Sequence, residues 1–224
     1  MIVVVAATRK ELAAFFARTE ESVRDSGLIS LGNKKICQLC TGVGIINSAA
    51  GLSAFVEKHS VSGVLNIGIA GSYEPESLPV GSLAVAKREI WPEFGVRAET
   101  GAISRLDFPL ASVGREKIFE TIELDPDARA GQLGVCPPRN WPRKTFLTVS
   151  GVSGTGEQAR ELGVNFKAQL ENMEGFALAL VAARAGIPFL EIRSVSNIAG
   201  SRAKKDWDFP LAFKALQKAG ATLF

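Results

Sequence analysis

Glu11, Glu174, Arg193 and Asn197 stand beside or inside segments that read as buried, and they are where this sequence can do chemistry. Burying a charge is costly unless it has a partner or a task. Glu174 opens Gly175-Phe176-Ala177-Leu178-Ala179-Leu180-Val181-Ala182-Ala183, a helix apolar nearly all round and therefore buried. Arg193 and Asn197 lie in Phe189-Leu190-Glu191-Ile192-Arg193-Ser194-Val195-Ser196-Asn197, a core strand whose period of two puts them on one face. Glu11 falls in the first turn of a helix after a β-branched strand. Its carboxylate either points back over the sheet edge or lies in solvent, complementing the helix dipole. Two carboxylates and a guanidinium supply a general base and a means of stabilising positive charge.

Three glycine turns could bring backbone close to a ligand: Gly42-Val43-Gly44, Gly68-Ile69-Ala70-Gly71-Ser72 and Gly154-Thr155-Gly156. The last matches G-x-G-x-x-A through Ala159, but it sits late in the chain without the acidic strand end a dinucleotide fold needs, and tight turns alone also explain glycine. Cys37 and Cys40 spell C-x-x-C inside an alternating segment rather than at a helix start, which reads as buried apolar residues and not a redox pair. His59 is the single histidine, so a zinc site of several imidazoles is impossible. No metal and no cofactor is expected.

These residues need a scaffold, and 224 residues with 46% hydrophobic and 22% charged residues suffice for one. Strand and helix patterns alternate. Strands are expected at Val3–Ala7, as a pair over Gly27–Thr41, and at Val61–Ala70, Ser82–Ile90, Thr145–Gly151 and Phe189–Ser196. Helices are expected from Lys10, Gly44, Gly156, Glu174 and Pro210, with another over Leu110–Leu124, and Asp125–Arg143 reads as a loop rich in proline and glycine. The expected architecture is α/β, a three-layer α/β/α sandwich on a mixed central sheet, with residues 1–224 as one domain. No apolar run approaches the roughly 20 residues that span a bilayer, and no basic stretch beside Met1 makes a signal peptide, so the expected location is cytoplasmic. The net charge of +3 comes from scattered basic residues, which argues against nucleic acid and membrane as partners.

Asn66-Ile67-Gly68-Ile69-Ala70-Gly71, Val80-Gly81-Ser82, Val149-Ser150-Gly151, Asn172-Met173-Glu174-Gly175 and Ile192-Arg193-Ser194-Val195-Ser196-Asn197-Ile198-Ala199 together resemble, in order and spacing, the purine nucleoside phosphorylase/nucleosidase superfamily. The likeness runs over essentially the whole chain and is strongest to the futalosine hydrolase branch. It implies a phosphorylase-like fold, a homodimer or higher homo-oligomer, and a small-molecule nucleoside substrate. It further implies Glu11, Arg193 and Asn197 as catalytic residues and Glu174, Met173, Asn172, Ile69, Ala70 and Gly71 as substrate-binding ones.

The chemistry of N-ribosidic cleavage fits that assignment. The reaction passes through a ribosyl cation, which a carboxylate at the sugar hydroxyls stabilises, the part for Glu174. A second carboxylate must take a proton from water, the part for Glu11, with Arg193 orienting carboxylate and water. Where methylthioadenosine nucleosidases carry aspartic acid, this chain carries Asn197. An amide offers NH2 to a C6 carbonyl and C=O to a protonated N7, the pattern of a 6-oxopurine. Phosphorylases place an arginine before the first glycine turn; here that stretch reads Leu65-Asn66-Ile67-Gly68, which favours water as the nucleophile, although Arg9 and Lys10 stand nearby. Alternatives are methylthioadenosine/S-adenosylhomocysteine or another purine nucleoside as substrate, and a nucleoside-binding protein without turnover. Trp91 and Trp207 could wall the distal end of a substrate or pack at an edge, and Arg202, Lys204 and Lys205 could pair with a distal carboxylate or be solvated.

Overall fold

The computed structural model describes residues 1–31, 34–99 and 103–224. Val3, Val4 and Val5 form the centre of the first strand because β-branched side chains pack well on a pleated surface, and all three are fully buried. The chain then runs β1 (Ile2–Ala6), α1 (Arg9–Phe15), β2 (Ser26–Leu31), β3 (Lys34–Cys40), α2 (Ile45–Lys58), β4 (Gly63–Ser72) and β5 (Leu83–Ile90). The expected strand pair over Gly27–Thr41 is β2 and β3; residues 32 and 33 lie outside the described residues. There follow β6 (Val96–Arg97), β7 (Ile103–Ser104), β8 (Ala111–Val113), β9 (Glu116–Ile118), β10 (Thr121–Glu123), α3 (Pro126–Leu133), β11 (Arg143–Thr148) and α4 (Gly156–Phe166). The last elements are β12 (Leu170–Asn172), α5 (Gly175–Ala185), β13 (Phe189–Ile198) and α6 (Phe209–Leu223).

Two expectations fail here. Leu110–Leu124 is not a helix but β8, β9 and β10. Ile118 and Ile122 sit four apart and mimic helical spacing, but Gly114 takes φ +58° and turns β8 back on β9, while β10 pairs with β5. The supposed loop after Asp125 contains α3, whose signals are those of a helix. Asp125 accepts a hydrogen bond from Ala128 N, Pro126 stands at the first position, and Gly134 ends it with φ +63°.

The mixed central sheet runs β10-β5-β11-β12-β4-β1-β3-β2, with β13 pairing in parallel with β4 and antiparallel with β5. Because β5-β11-β12-β4-β13 returns to β5, the sheet closes on itself at one end. Each of those five strands contributes to one apolar cluster: Ala84 and Ala86, Phe146, Leu170, Ala70 and Val195. Small alanines leave room for the closure. Outside, α1 packs on α6 and α2 on α5, over two further clusters on opposite faces of the sheet. Among the described residues, no helix is long and apolar enough to cross a membrane.

Candidate active site

The site is laid out along β4, and two of its glycines mark it. A side chain on Gly68 would overlap Arg193 Nη1 and lie 2.9 Å from Glu11 Oε1; one on Gly71 would lie 3.1 Å from Asn197 Nδ2 and 3.2 Å from Glu171 Oε1. At Gly68 a side chain would displace Arg193, and at Gly71 it would crowd Asn197 and Glu171. Three residues of strand separate the two clusters by about 10 Å.

Glu11 is placed by the start of α1. Thr8 and Glu11 cap the helix reciprocally: Glu11 N donates to Thr8 Oγ1 at 3.2 Å, and Thr8 N and Oγ1 donate to Glu11 Oε2 at 2.9 and 2.7 Å. Glu11 Oε1 reaches across to accept from Ile69 N at 3.0 Å. The carboxyl therefore points back over the carboxyl edge of the sheet and is only 3% exposed, which decides against a solvated helix-start residue. Burial and the Glu174 charge push its pKa up, and Arg193, Ile69 N and Thr8 oppose them.

Glu174 is free for the site because other groups cap α5. Asn172 Oδ1 accepts from Glu174 N and Gly175 N at 2.9 and 2.7 Å, and Thr148 Oγ1 accepts from Phe176 N at 2.7 Å. Glu174 Oε1 instead accepts from Gly44 N at 3.1 Å, which Gly42 and Gly44, at φ +89° and +92°, deliver. Its Oε2 accepts from Arg193 Nη1 at 3.3 Å.

Arg193 is fully buried and lies behind the cavity rather than in its lining. Its Nε donates to Glu191 Oε1 at 2.8 Å, Nη2 to Asn172 Oδ1 at 3.2 Å, and Nη1 to Glu174 and to Ile69 O. No hydrogen bond joins it to Glu11 among the described residues, although both lie over Gly68. The alternation expected to put Arg193 and Asn197 on one face is also interrupted. Val195 pairs with Ala70 and Asn197 with Gly71, so Ser196 is an extra residue, a bulge that turns both Ser196 and Asn197 to the cavity.

The cavity holds about 430 Å³, and its lining includes Glu11, Glu174, Met173, Asn172, Ile69, Ala70, Gly71 and Asn197. All the expected site residues except Arg193 therefore meet there. The side chain of Asn172 is spent inside the protein: Nδ2 donates to Glu89 Oε1 and Leu147 O, and Oδ1 takes the donors already named. Asn197 Oδ1 accepts from Ser196 Oγ at 2.8 Å, and Nδ2 donates to Ile198 O at 3.2 Å. Trp207, Phe209 and Phe213 form an aromatic wall; Arg202, Lys204 and Lys205 stay outside it, and Lys10 is the lining cation. Arg9 turns away to Asp25 at 2.7 and 2.9 Å. Trp91 belongs elsewhere, to an apolar groove between α2 and α5.

Several residues around the site escaped the sequence reading. Glu171 lines the cavity, held by Ser153 Oγ at 2.6 Å and Tyr73 OH at 2.9 Å, and burial beside that carboxylate raises the tyrosine pKa. Glu89 and Glu191 lie fully buried behind Arg193. Glu191, two residues before Arg193 on a core strand, carried a legible signal; Glu89 follows Lys87 and Arg88 and carried none. Gly154 and Gly156 only start α4, where Thr155 accepts from Gln158 N. Cys37 and Cys40 are free thiols on β3 whose pKa values burial raises, the reverse of a redox pair. His59 ends α2, exposed and against Phe55.

Over residues 1–224 the chain matches the Phosphorylase superfamily. It is 33% identical over 181 residues to a futalosine hydrolase of Thermus thermophilus, covering 80% of this chain and 76% of that one. To a 5'-methylthioadenosine/S-adenosylhomocysteine nucleosidase of Halalkalibacterium halodurans it is 29% identical over 206 residues, 87% and 81% of the two chains. The solved structure of futalosine hydrolase from Helicobacter pylori superposes with a TM-score of 0.70 at 23% identity, covering 99% of this chain and 94% of that one, a likeness of fold.

Proposed function

This chain belongs to the phosphorylase superfamily, and from that premise we propose that it hydrolyses the N-ribosidic bond of futalosine, releasing hypoxanthine for menaquinone biosynthesis. The observation that carries the proposal is the layout along β4. Two buried carboxyl groups, Glu11 and Glu174, meet the cavity about 10 Å of strand away from an amide, Asn197. That is the span of a nucleoside. The carboxylates suit a ribosyl cation, and the amide suits a purine that has a C6 carbonyl and is protonated at N7 as it leaves.

In this reading Glu174 accepts hydrogen bonds from the ribose hydroxyls, and its charge stabilises the cation as the bond to the base stretches. Glu11 takes the proton from attacking water. Burial lifts its pKa, which makes its carboxylate a stronger base. Arg193 acts through Glu174, whose Oε2 it holds. Met173, Asn172, Ile69, Ala70 and Gly71 shape the floor, and the aromatic wall with Lys10 fits the carboxyphenyl end of futalosine. With Arg9 engaged by Asp25, the lining offers Lys10 as its one cation among the described residues, and no arginine of the kind the resemblance gives a phosphorylase for its phosphate, which supports water as nucleophile. A homodimer or higher homo-oligomer fits the apolar groove lined by Ile45, Val56, Trp91, Phe176, Leu180 and Val181, and free cysteines fit a reducing cytoplasm.

The test is base release by chromatography from futalosine, inosine, aminofutalosine and methylthioadenosine, each with and without inorganic phosphate. Hypoxanthine from futalosine, independent of phosphate, is the expected result. Adenine release would overturn the reading of the base end, and a phosphate requirement that of the nucleophile.

A further inference from the structure

At the cavity's edge and behind it, four carboxyl groups and one guanidinium are buried together: Glu11 and Glu174 in the lining, Glu191, Glu89 and Arg193 behind. One cation does not neutralise four anions, so at least one carboxyl has to carry a proton. The geometry identifies which.

Glu191 Oε1 accepts from Arg193 Nε at 2.8 Å and from Asn66 Nδ2 at 3.0 Å, the pattern of a carboxylate. Glu191 Oε2 is buried and has no N–H donor or hydroxyl among the described residues. What it does have is Glu89. At the first residue of α5, a side chain on Gly175 would lie 2.6 Å from both Glu191 oxygens and would overlap Glu89 Oε1, so the two carboxyl groups converge on one point. Two carboxyl groups bond only through a shared proton. Glu89 is the one without a cation. Its own contacts are the neutral donors Asn172 Nδ2 at 2.8 Å and Thr148 Oγ1 at 2.7 Å.

We infer that Glu89 is kept as the neutral acid, donating its proton to Glu191, and that this pair is the positioning element which holds Arg193 against Glu174. The proton lets Glu191 remain an anion in a buried place. Glu191 in turn fixes Arg193 Nε, which aims Nη1 at Glu174 and Nη2 at Asn172, the residue that caps α5. Desolvation is the leading cause raising the pKa of Glu89, with the Glu191 charge next. The role rests on the nucleosidase reading above, whereas the shared proton does not.

Infrared spectroscopy of the intact enzyme reads the proton directly and owes nothing to the substrate. A protonated-carboxyl carbonyl stretch is expected at neutral pH, and it should vanish in Glu89→Gln. Turnover then separates positioning from packing. Gln is the neutral near-isostere of the acid: its NH2 donates to Glu191 and its carbonyl accepts from Thr148, while Asn172 Nδ2 gives up Glu89 and keeps Leu147 O, so Glu89→Gln should hold turnover to within about tenfold of the native enzyme where Glu89→Ala loses far more. Glu191→Gln keeps the shape but moves the charge away from Arg193, and kcat should fall more than tenfold with KM changing less. Absence of the carbonyl stretch, or its survival in Glu89→Gln, would overturn the shared proton. Equal losses in Glu89→Gln and Glu191→Gln would overturn the positioning role. If no nucleoside is turned over by the native enzyme, the functional reading fails while the infrared result still stands or falls alone.

Discussion

Gly68 and Gly71 stand three residues apart on one strand, and the groups gathered over them differ in kind. Over Gly68 lie Arg193 and Glu11, with Glu174 and Glu191 bonded to the same guanidinium. Over Gly71 lie an amide and one carboxylate, Asn197 and Glu171, the latter saturated by Ser153 and Tyr73. The first cluster holds an excess of buried negative charge; the second holds oriented donors and acceptors beside aromatic rings. A reaction that builds a cation at one end of its substrate and discharges a neutral base at the other needs this division. In the proposed reaction one strand carries both rate and choice, and mutations should separate them.

The largest effect should come from the charged end. Glu11→Gln keeps the shape and removes the base, so kcat should fall by about 10²-fold or more while calorimetry still detects substrate binding. Unaltered turnover would dismiss Glu11 from its role. Next is the base end: Asn197→Asp should lower the ratio of hypoxanthine to adenine release at least tenfold while leaving Glu174 and Arg193 in place, read by product chromatography on paired substrates.

The two glycines give the intermediate contrast. Gly68→Ala places a Cβ on Arg193 Nη1 and Glu11, and kcat should drop about tenfold or more; Gly71→Ala meets Asn197 and Glu171 at a tight but tolerable 3.1–3.2 Å and should raise KM instead. Equal effects on both parameters would erase the distinction. A pH profile is the mildest probe. The pKa of Glu11 is raised above the ordinary carboxylate value, and in the proposed reaction its ionised form is the active one. Activity should therefore be lost as pH falls through that raised value, at higher pH than an exposed carboxylate would give, and Glu11→Gln should flatten that limb of kcat/KM.

How much of this could be read from residue types follows from what each residue needs. Glu174 and Arg193 were legible because charge inside an apolar helix or strand demands a reason, whereas the first-turn place of Glu11 left a solvated carboxylate and one over the sheet edge equally open until the Thr8 capping box fixed it. Asn197 was legible by type but not by placement, because the bulge at Ser196 depends on the register of β13 against β4. Glu89 was not legible at all: β11 and the start of α5 bury it, and only tertiary pairing brings Thr148, Asn172 and Glu191 to it. The segment after Leu110 misled for a similar reason. Its apolar spacing suits a helix locally, while β5 offers it an edge to pair with.

The central claim is that the Gly68 cluster is built for positive charge at the ribose. It is tested most directly by comparing, by calorimetry, two nucleoside analogues of one shape, one with a protonated ring nitrogen at the sugar and one with a neutral carbon there. The cationic analogue should bind at least about 10²-fold more tightly, as transition-state mimics do, and Glu174→Gln should remove most of that preference. Equal affinities in the native enzyme would contradict the account.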